Sequence, residues 1–269
     1  MFHVHAFNPH PLLRHCVDSY LIATIDQADV HCIDRTFLPS TKQNLVIGLD
    51  KGNTVYDCNQ FEYSADHFFA GPYDRICHVM LFPGMKKMIV HFKPGGLFKI
   101  FHIPASTFLN RSVDALEFLG KQLLDFSQRL GETHLSNKIE LMDAFLIRQM
   151  QNQNKKSRNI DEAIRLIDLN KGNIGLRQLE QFTFTTKRTL ERHFLEQVGL
   201  FPKTFSRLVR FNALVKFVET QININWSLLA EAFGYYDQSH FIHEFKTFTG
   251  HLPQSYFNHK TNFEKILSS

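Results

Sequence analysis

The sequence has no run of 18 apolar residues, so no segment reads as a membrane-spanning helix. Its opening, MFHVHAFNPH, lacks the basic end, apolar stretch and small-residue cleavage site of a secretory signal. A cytoplasmic protein is expected, with no membrane partner. Cysteine is scarce: Cys16, Cys32, Cys58 and Cys77 all lie in the first third, and none forms a C-x-x-C pair. Structural zinc sites pair their ligands at short spacing, so these four read as reduced thiols and not as a zinc centre. Tryptophan occurs once. Phenylalanine occurs 27 times, which predicts aromatic cores.

With 43% apolar and 21% charged residues, the composition is that of a globular chain able to bury a core. The formal charge of +4 is unevenly distributed. Residues 1–154 carry 14 Lys and Arg against 15 Asp and Glu, a net −1; residues 155–269 carry 16 against 11, a net +5. A basic excess in one segment suits an anionic partner such as nucleic acid, although many solvated surfaces carry as much.

The tract QMQNQNKKSRN, Gln149 to Asn159, is polar and amide-rich, which is linker composition. The expected division is an N-terminal domain over 1–150, a linker over 151–158, a helical domain over 159–258 and a tail over 259–269. The first hundred residues read mostly as strands. QNLVIGLD (43–50), HFFAG (67–71), ICHVMLF (76–82) and MKKMIVHF (85–92) are short β-branched or aromatic runs bounded by Gly and Pro. That spacing predicts a sandwich or small barrel. Two helices come next, with apolar residues at Leu116, Leu119, Leu123, Phe126 and Leu130, then at Ile139, Met142, Leu146 and Met150. Their stripes either pack on the sheet or pair with a second subunit.

After the linker every pattern is helical. The stretch TTKRTLERHFLEQVGLFP, Thr185 to Pro202, returns 51 residues later between Tyr236 and Pro253, a segment that includes DQSHFIHEFKTFTG. Thr186 then meets Asp237, both good N-caps. Leu190 meets Phe241, Phe194 meets Phe245, Gly199 meets Gly250, Pro202 meets Pro253 and Phe205 meets Tyr256. The chain therefore carries two copies of one helical unit. In the second copy, Ala230, then Gly234 four residues on, then a capped helix make the helix-turn-helix pattern. The bland reading is an antiparallel helical hairpin, which the duplication weakens. The first copy departs from the pattern: Glu180 stands at the expected small position and Phe184 at the expected glycine. Its turn must differ, or its two helices must splay.

On these residues the last hundred positions resemble the DNA-binding region of the AraC/XylS family of bacterial transcription regulators. The matching elements are A-x-x-x-G at Ala230–Gly234, D-x-S-x-F at Asp237–Phe241, F-K at Phe245-Lys246 and G-x-x-P at Gly250–Pro253. In the first copy they are R-T-L-E-R-x-F at Arg188–Phe194 and G-L-x-P at Gly199–Pro202. The resemblance implies a two-domain α+β chain. Its N-terminal domain is mostly β and barrel-like (cupin-like), followed by helices, and would serve sensing or dimerisation. Its C-terminal domain is all-α, with two helix-turn-helix units joined by a linking helix. The first 150 residues match only loosely, in order and strand character. The implied partners are double-stranded DNA, a small-molecule effector, RNA polymerase and a second copy of the chain.

The residues support that picture independently. Pro202 to about Thr220 reads as one helix of about 18 residues, or roughly 27 Å, which can hold two recognition helices near one DNA turn apart, about 34 Å. On the first recognition helix Arg188 and Arg192 can each fork onto guanine, and Glu191 can accept from cytosine or pair with Arg188 or Lys187. On the second, Gln238, Ser239, His240 and His243 are the base-reading candidates. An imidazole at His243 cannot make the arginine fork, so reading there should be weaker or pH-sensitive. Thr186, Lys187, Arg207, Arg210 and Lys246 are candidates for phosphate.

No cofactor, no metal and no catalytic residue is predicted. His240 and His243 lack a third ligand. His3, His5, His10 and His15 read as scattered surface histidines sooner than as a metal-sensing cluster. The rival from another class is a metal-dependent barrel enzyme with an accessory DNA-binding module, which would need converging ligands that the sequence does not assemble. A repair protein with a reactive cysteine, and an adaptor that binds protein through these helices, are further alternatives.

Overall fold

The computed structural model of the protein describes residues 1–28, 31–49, 52, 55–151, 158–221 and 224–257. Most of the expected linker over 151–158, and all of the tail over 259–269, lie outside those residues.

The N-terminal part holds two antiparallel sheets. The larger runs β1 (Phe2–Phe7), β2 (Val17–Ile25), β9 (Lys86–Phe92), β4 (Gln43–Gly48), β7 (His67–Ala70) and β10 (Ser112–Asp114). The smaller runs β3 (Ile33–Phe37), β8 (Cys77–Leu81), β5 (Val55–Asp57) and β6 (Glu62–Tyr63). Among the described strands the two sheets remain separate, so the expected cupin-like barrel is not closed. The four strands read from sequence are β4, β7, β8 and β9. Strand β2 escaped that reading because Asp18, Ser19 and Thr24 break its apolar alternation, yet it lies between β1 and β9 with Tyr20, Ile22, Ala23 and Ile25 buried.

Strand alternation places Leu45 and Ile47 of β4, Phe69 of β7 and Val90 and Phe92 of β9 in one core. Helices α1 (Gly96–Phe101), α2 (Leu116–Glu132) and α3 (Leu135–Gln151) join that core. Their stripes thus pack against the sheet: Leu123, Phe126 and Leu130 of α2 meet Met142, Phe145 and Leu146 of α3, with Phe126 and Phe145 stacked at 4.1 Å. Each buried Phe contributes roughly 2–3 kcal/mol. Tyr20 donates from its hydroxyl to Asp143 at 2.6 Å, tying β2 to α3. Between the sheets lies a cavity of about 750 Å³, lined mainly by apolar side chains together with Arg35, Lys42, Lys87 and His91.

The C-terminal part is helical: α4 (Arg158–Leu169), α5 (Leu176–Thr183), α6 (Lys187–Gln197), α7 (Pro202–Val218), α8 (Trp226–Ala232) and α9 (Gln238–Thr249). Ile160, Ala163, Ile164 and Ile167 of α4 enter a single core with Leu190 and Phe194 of α6 and with Phe241, Phe245 and Phe248 of α9. Helix α7 supplies Phe205, Leu208, Phe211 and Leu214 to the same core. Among the described residues no helix is long and apolar enough to cross a membrane.

Candidate nucleic-acid interface

Each repeated helix begins as its cap residue dictates. The Thr186 hydroxyl accepts from the Thr189 N–H at 3.4 Å, and the Asp237 carboxylate accepts from the His240 N–H at 2.7 Å. Asn225 caps α8 by accepting from Ser227 and Leu228. Pro202 opens α7, where its missing N–H costs nothing. That helix has 17 residues, a length of about 26 Å.

The two turns differ, as Glu180 and Phe184 foretold. In the second unit Ala230 is wholly buried and Gly234 takes φ +75. A Cβ at Gly234 would overlap the Asn173 side chain. Two residues, Tyr235 and Tyr236, then precede the cap. In the first unit Phe184 takes the left-handed conformation itself (φ 51, ψ 39), and one residue, Thr185, precedes the cap. That turn is one residue shorter. Glu180, standing where the second unit has its alanine, accepts from the Lys187 N–H at 2.6 Å. An acid at a helix N-terminus is electrostatically favoured, so Glu180 closes the turn by charge and not by close packing.

Helix α6 presents Lys187, Arg188 and Arg192 exposed, with Glu191 half-buried. Lys187 and Glu191 stand 3.9 Å apart as an i, i+4 pair, the intrahelical alternative for Glu191. Arg192 reaches His193 at 3.3 Å. On α9, Gln238, Ser239, His240, His243 and Lys246 are all exposed, and Phe241, Phe245 and Phe248 are buried. His240 is held at the N-terminal edge, accepting from the Tyr236 N–H at 3.4 Å and lying edge-on to Tyr235. Between the units runs a cleft of about 660 Å³ bordered by Lys203, Arg207, Arg210, His240 and His243.

Arg207 and Arg210, the phosphate candidates on that border, are also tied into the protein. Both donate to Glu244 of α9: Arg207 Nε at 2.7 Å, and Arg210 at 3.0 and 3.2 Å to the two carboxylate oxygens. The Arg210 side chain is only 13% exposed and lies 4.3 Å above the Tyr235 ring; Arg207 lies 5.0 Å above Phe248. Burial tends to raise the pKa of Glu244, but the hydrogen bonds and charges of the two arginines outweigh it and hold the carboxyl below its usual range. The cluster fixes α9 on α7. Sequence reasoning passed over Glu244. The signal was an acid on the same helical face as Phe241, Phe245 and Phe248.

His3 and His5 lie along β1, with His10 and His15 beyond it, and among the described residues no three His, Cys, Asp or Glu side chains gather as a metal site.

Two families match separate parts of the chain. Residues 180–259 match a family described as a helix-turn-helix domain. Residues 5–114 match a domain family described as of unknown function, DUF6597. No curated relative matches the sequence at significant similarity. Among solved structures, the chain is similar to ToxT from Vibrio cholerae O395 at 12% identity, covering 95% of this chain and 96% of that one with a TM-score of 0.40. It is similar to the AraC-like transcriptional activator CuxR at 11% identity, covering 80% of each chain with a TM-score of 0.39. At these scores the likeness assigns neither a ligand nor a function. By the two capped repeats and the family match together, residues 180–259 are a helix-turn-helix DNA-binding domain of the AraC type, the kind carried by transcription regulators.

Proposed function

We propose that the protein is a sequence-specific transcription regulator that reads two successive major grooves with α6 and α9. The observation that carries this reading is the duplication itself. Two capped helices expose polar faces, α6 with Lys187, Arg188 and Arg192 and α9 with Gln238, two histidines and Lys246, and share one core, with a stiff helix of about 26 Å between them. Arg188, Glu191 and Arg192 read bases in one groove, and Gln238, Ser239, His240 and His243 in the next. Thr186, Lys187 and Lys246 hold phosphate. The cleft bordered by Lys203 and the histidines suits the backbone that crosses between the grooves. Arg207 and Arg210 act chiefly by holding α9.

The division into an N-terminal sensing part and a C-terminal reading part belongs to the same proposal. The inter-sheet cavity is apolar with several cations on its wall. Arg35 lies over the Phe2 ring at 5.2 Å, and its buried Nε has no hydrogen-bond partner among the described residues. An apolar molecule with an acidic end would satisfy that group and fill the cavity.

Selection of bound duplexes from a random DNA pool, with and without a panel of apolar carboxylic acids, tests both halves. The expected result is a preferred site with two contacts about one turn apart, bound with a steep loss of affinity as salt rises. Absence of salt-dependent duplex binding would sink the reading.

A further inference from the structure

The first recognition helix does not end free. Gln43, at the start of β4, is completely buried and donates its side-chain amide to the carbonyls of Gln197 (3.1 Å) and Val198 (3.0 Å), the last turn of α6. Next to it Gly199 passes so close to Ala105 that a Cβ would sit 2.7 Å from the Ala105 carbonyl oxygen. These are contacts between the sheet side of the molecule and the DNA-reading side.

An amide in that place needs a reason. Its neighbours on the same face of β4, Leu45 and Ile47, are apolar and fully buried. The Gln43 Oε1 has no hydrogen-bond partner among the described residues. A half-satisfied buried amide is costly, so packing alone would favour an apolar residue. What the amide supplies is a pair of donors for two carbonyls that the end of a helix leaves unsatisfied.

The other face of β4 looks the opposite way. Strand alternation turns Lys42, Asn44 and Val46 toward the inter-sheet cavity, where Asn44 is hydrogen-bonded to His91 of β9. One strand is therefore both a wall of the cavity and the clamp on α6. The second recognition helix takes its position from α7 instead, through Glu244.

We propose that Gln43 is a positioning residue for α6, and that β4 lets the N-terminal region control reading at one half of the DNA site. The inference rests on the DNA-binding reading above. A rod held at its C-terminal end carries a small tilt to Arg188, about two and a half turns away.

The test uses the full chain and its selected duplex, with the half-site of α6 identified as the one whose preference Arg192→Ala alters. Gln43→Met keeps the length of the side chain and removes its donors. Gln43→Asn keeps the donors and shortens their reach. The expected result is that Gln43→Met loses about tenfold in base discrimination at the α6 half and none at the α9 half. Gln43→Asn should fall between the native chain and Gln43→Met. Native discrimination at both halves in Gln43→Met, or equal loss at both, would overturn the proposal. Should Gln43→Met fail to fold, Gln43→Asn carries the same two outcomes. A native chain that prefers no duplex refutes the DNA reading itself, a result that native-like behaviour of the variants cannot mimic.

Discussion

Phe184 and Gly234 perform the same backbone turn in the two repeated units, at φ 51 and φ 75, one with a full aromatic side chain and the other with none. The Phe184 side chain contributes little in return, since the residue is 95% exposed. A bulky residue in the left-handed region is strained by roughly 1–2 kcal/mol, part of which a glycine would give back in unfolded-state entropy. Phe184→Gly is therefore expected to stabilise the chain by about 0.5–1 kcal/mol. Gly234→Ala, which meets both the strained φ and the Asn173 side chain, should destabilise it by more than that. Thermal unfolding of the two variants should show shifts of opposite sign.

Glu244 is nearly buried between two arginines, so removing its charge leaves them facing a neutral group in a low-dielectric site. Glu244→Gln should cost about 3 kcal/mol, seen as a lower denaturant midpoint. Its folded pKa is depressed, so the stabilisation it gives is present above the ordinary glutamate range and is lost as pH falls through the folded value. Arg210→Ala should behave like Glu244→Gln in unfolding and leave the salt slope of DNA binding unchanged. A slope reduced by about 1 would mean that Arg210 reaches phosphate after all.

Arg192 and Lys246 separate reading from holding. Arg192→Ala should relax base preference at one position of the site, by roughly 1–3 kcal/mol. Lys246→Ala should weaken binding to all sequences alike and lower the salt slope by about 1. Competition assays against single-base variants of the selected duplex distinguish the two patterns. If Arg192→Ala leaves the preferred site unchanged, the assigned face of α6 is wrong.

His91 supplies a pH signature in the N-terminal part. Burial first, then the charge of Lys42, push its pKa down to about 4, against a pull upward from Asp18. The unfolded chain takes up the proton near pH 6.5, before the folded one does. Stability from the neutral ring is thus complete above that value and declines as pH falls toward 4, by up to roughly 3 kcal/mol and less where solvent reaches the ring. As pH falls from neutral through that window, the native chain should lose stability relative to His91→Gln, whose side chain does not titrate there.

The readable part of this molecule was the part encoded locally. Thr186, Asp237 and Pro202 act within one turn of themselves, and each starts a helix where its chemistry places it. The apolar stripes Leu190–Phe194 and Phe241–Phe245 point inward because a helix has a fixed period, and Lys187, Arg188 and Arg192 are left outside for the same reason. Glu180 and Phe184 even announced that the first turn would depart from the second. The sheets were harder to read. Strand β2 is central but poorly alternating, and α1 begins in the Pro94-Gly95-Gly96 cluster that looked like punctuation.

Sequence alone therefore determined that two capped helices with polar outer faces exist and which of their sides are buried, because caps and periodicity act over a few residues. Only the tertiary structure decided that Arg207 and Arg210 meet Glu244, that Gln43 grips the end of α6, and that the two sheets stop short of a barrel. A buried face has no address written in it; which group it meets depends on how distant segments dock, and no local pattern carries that information.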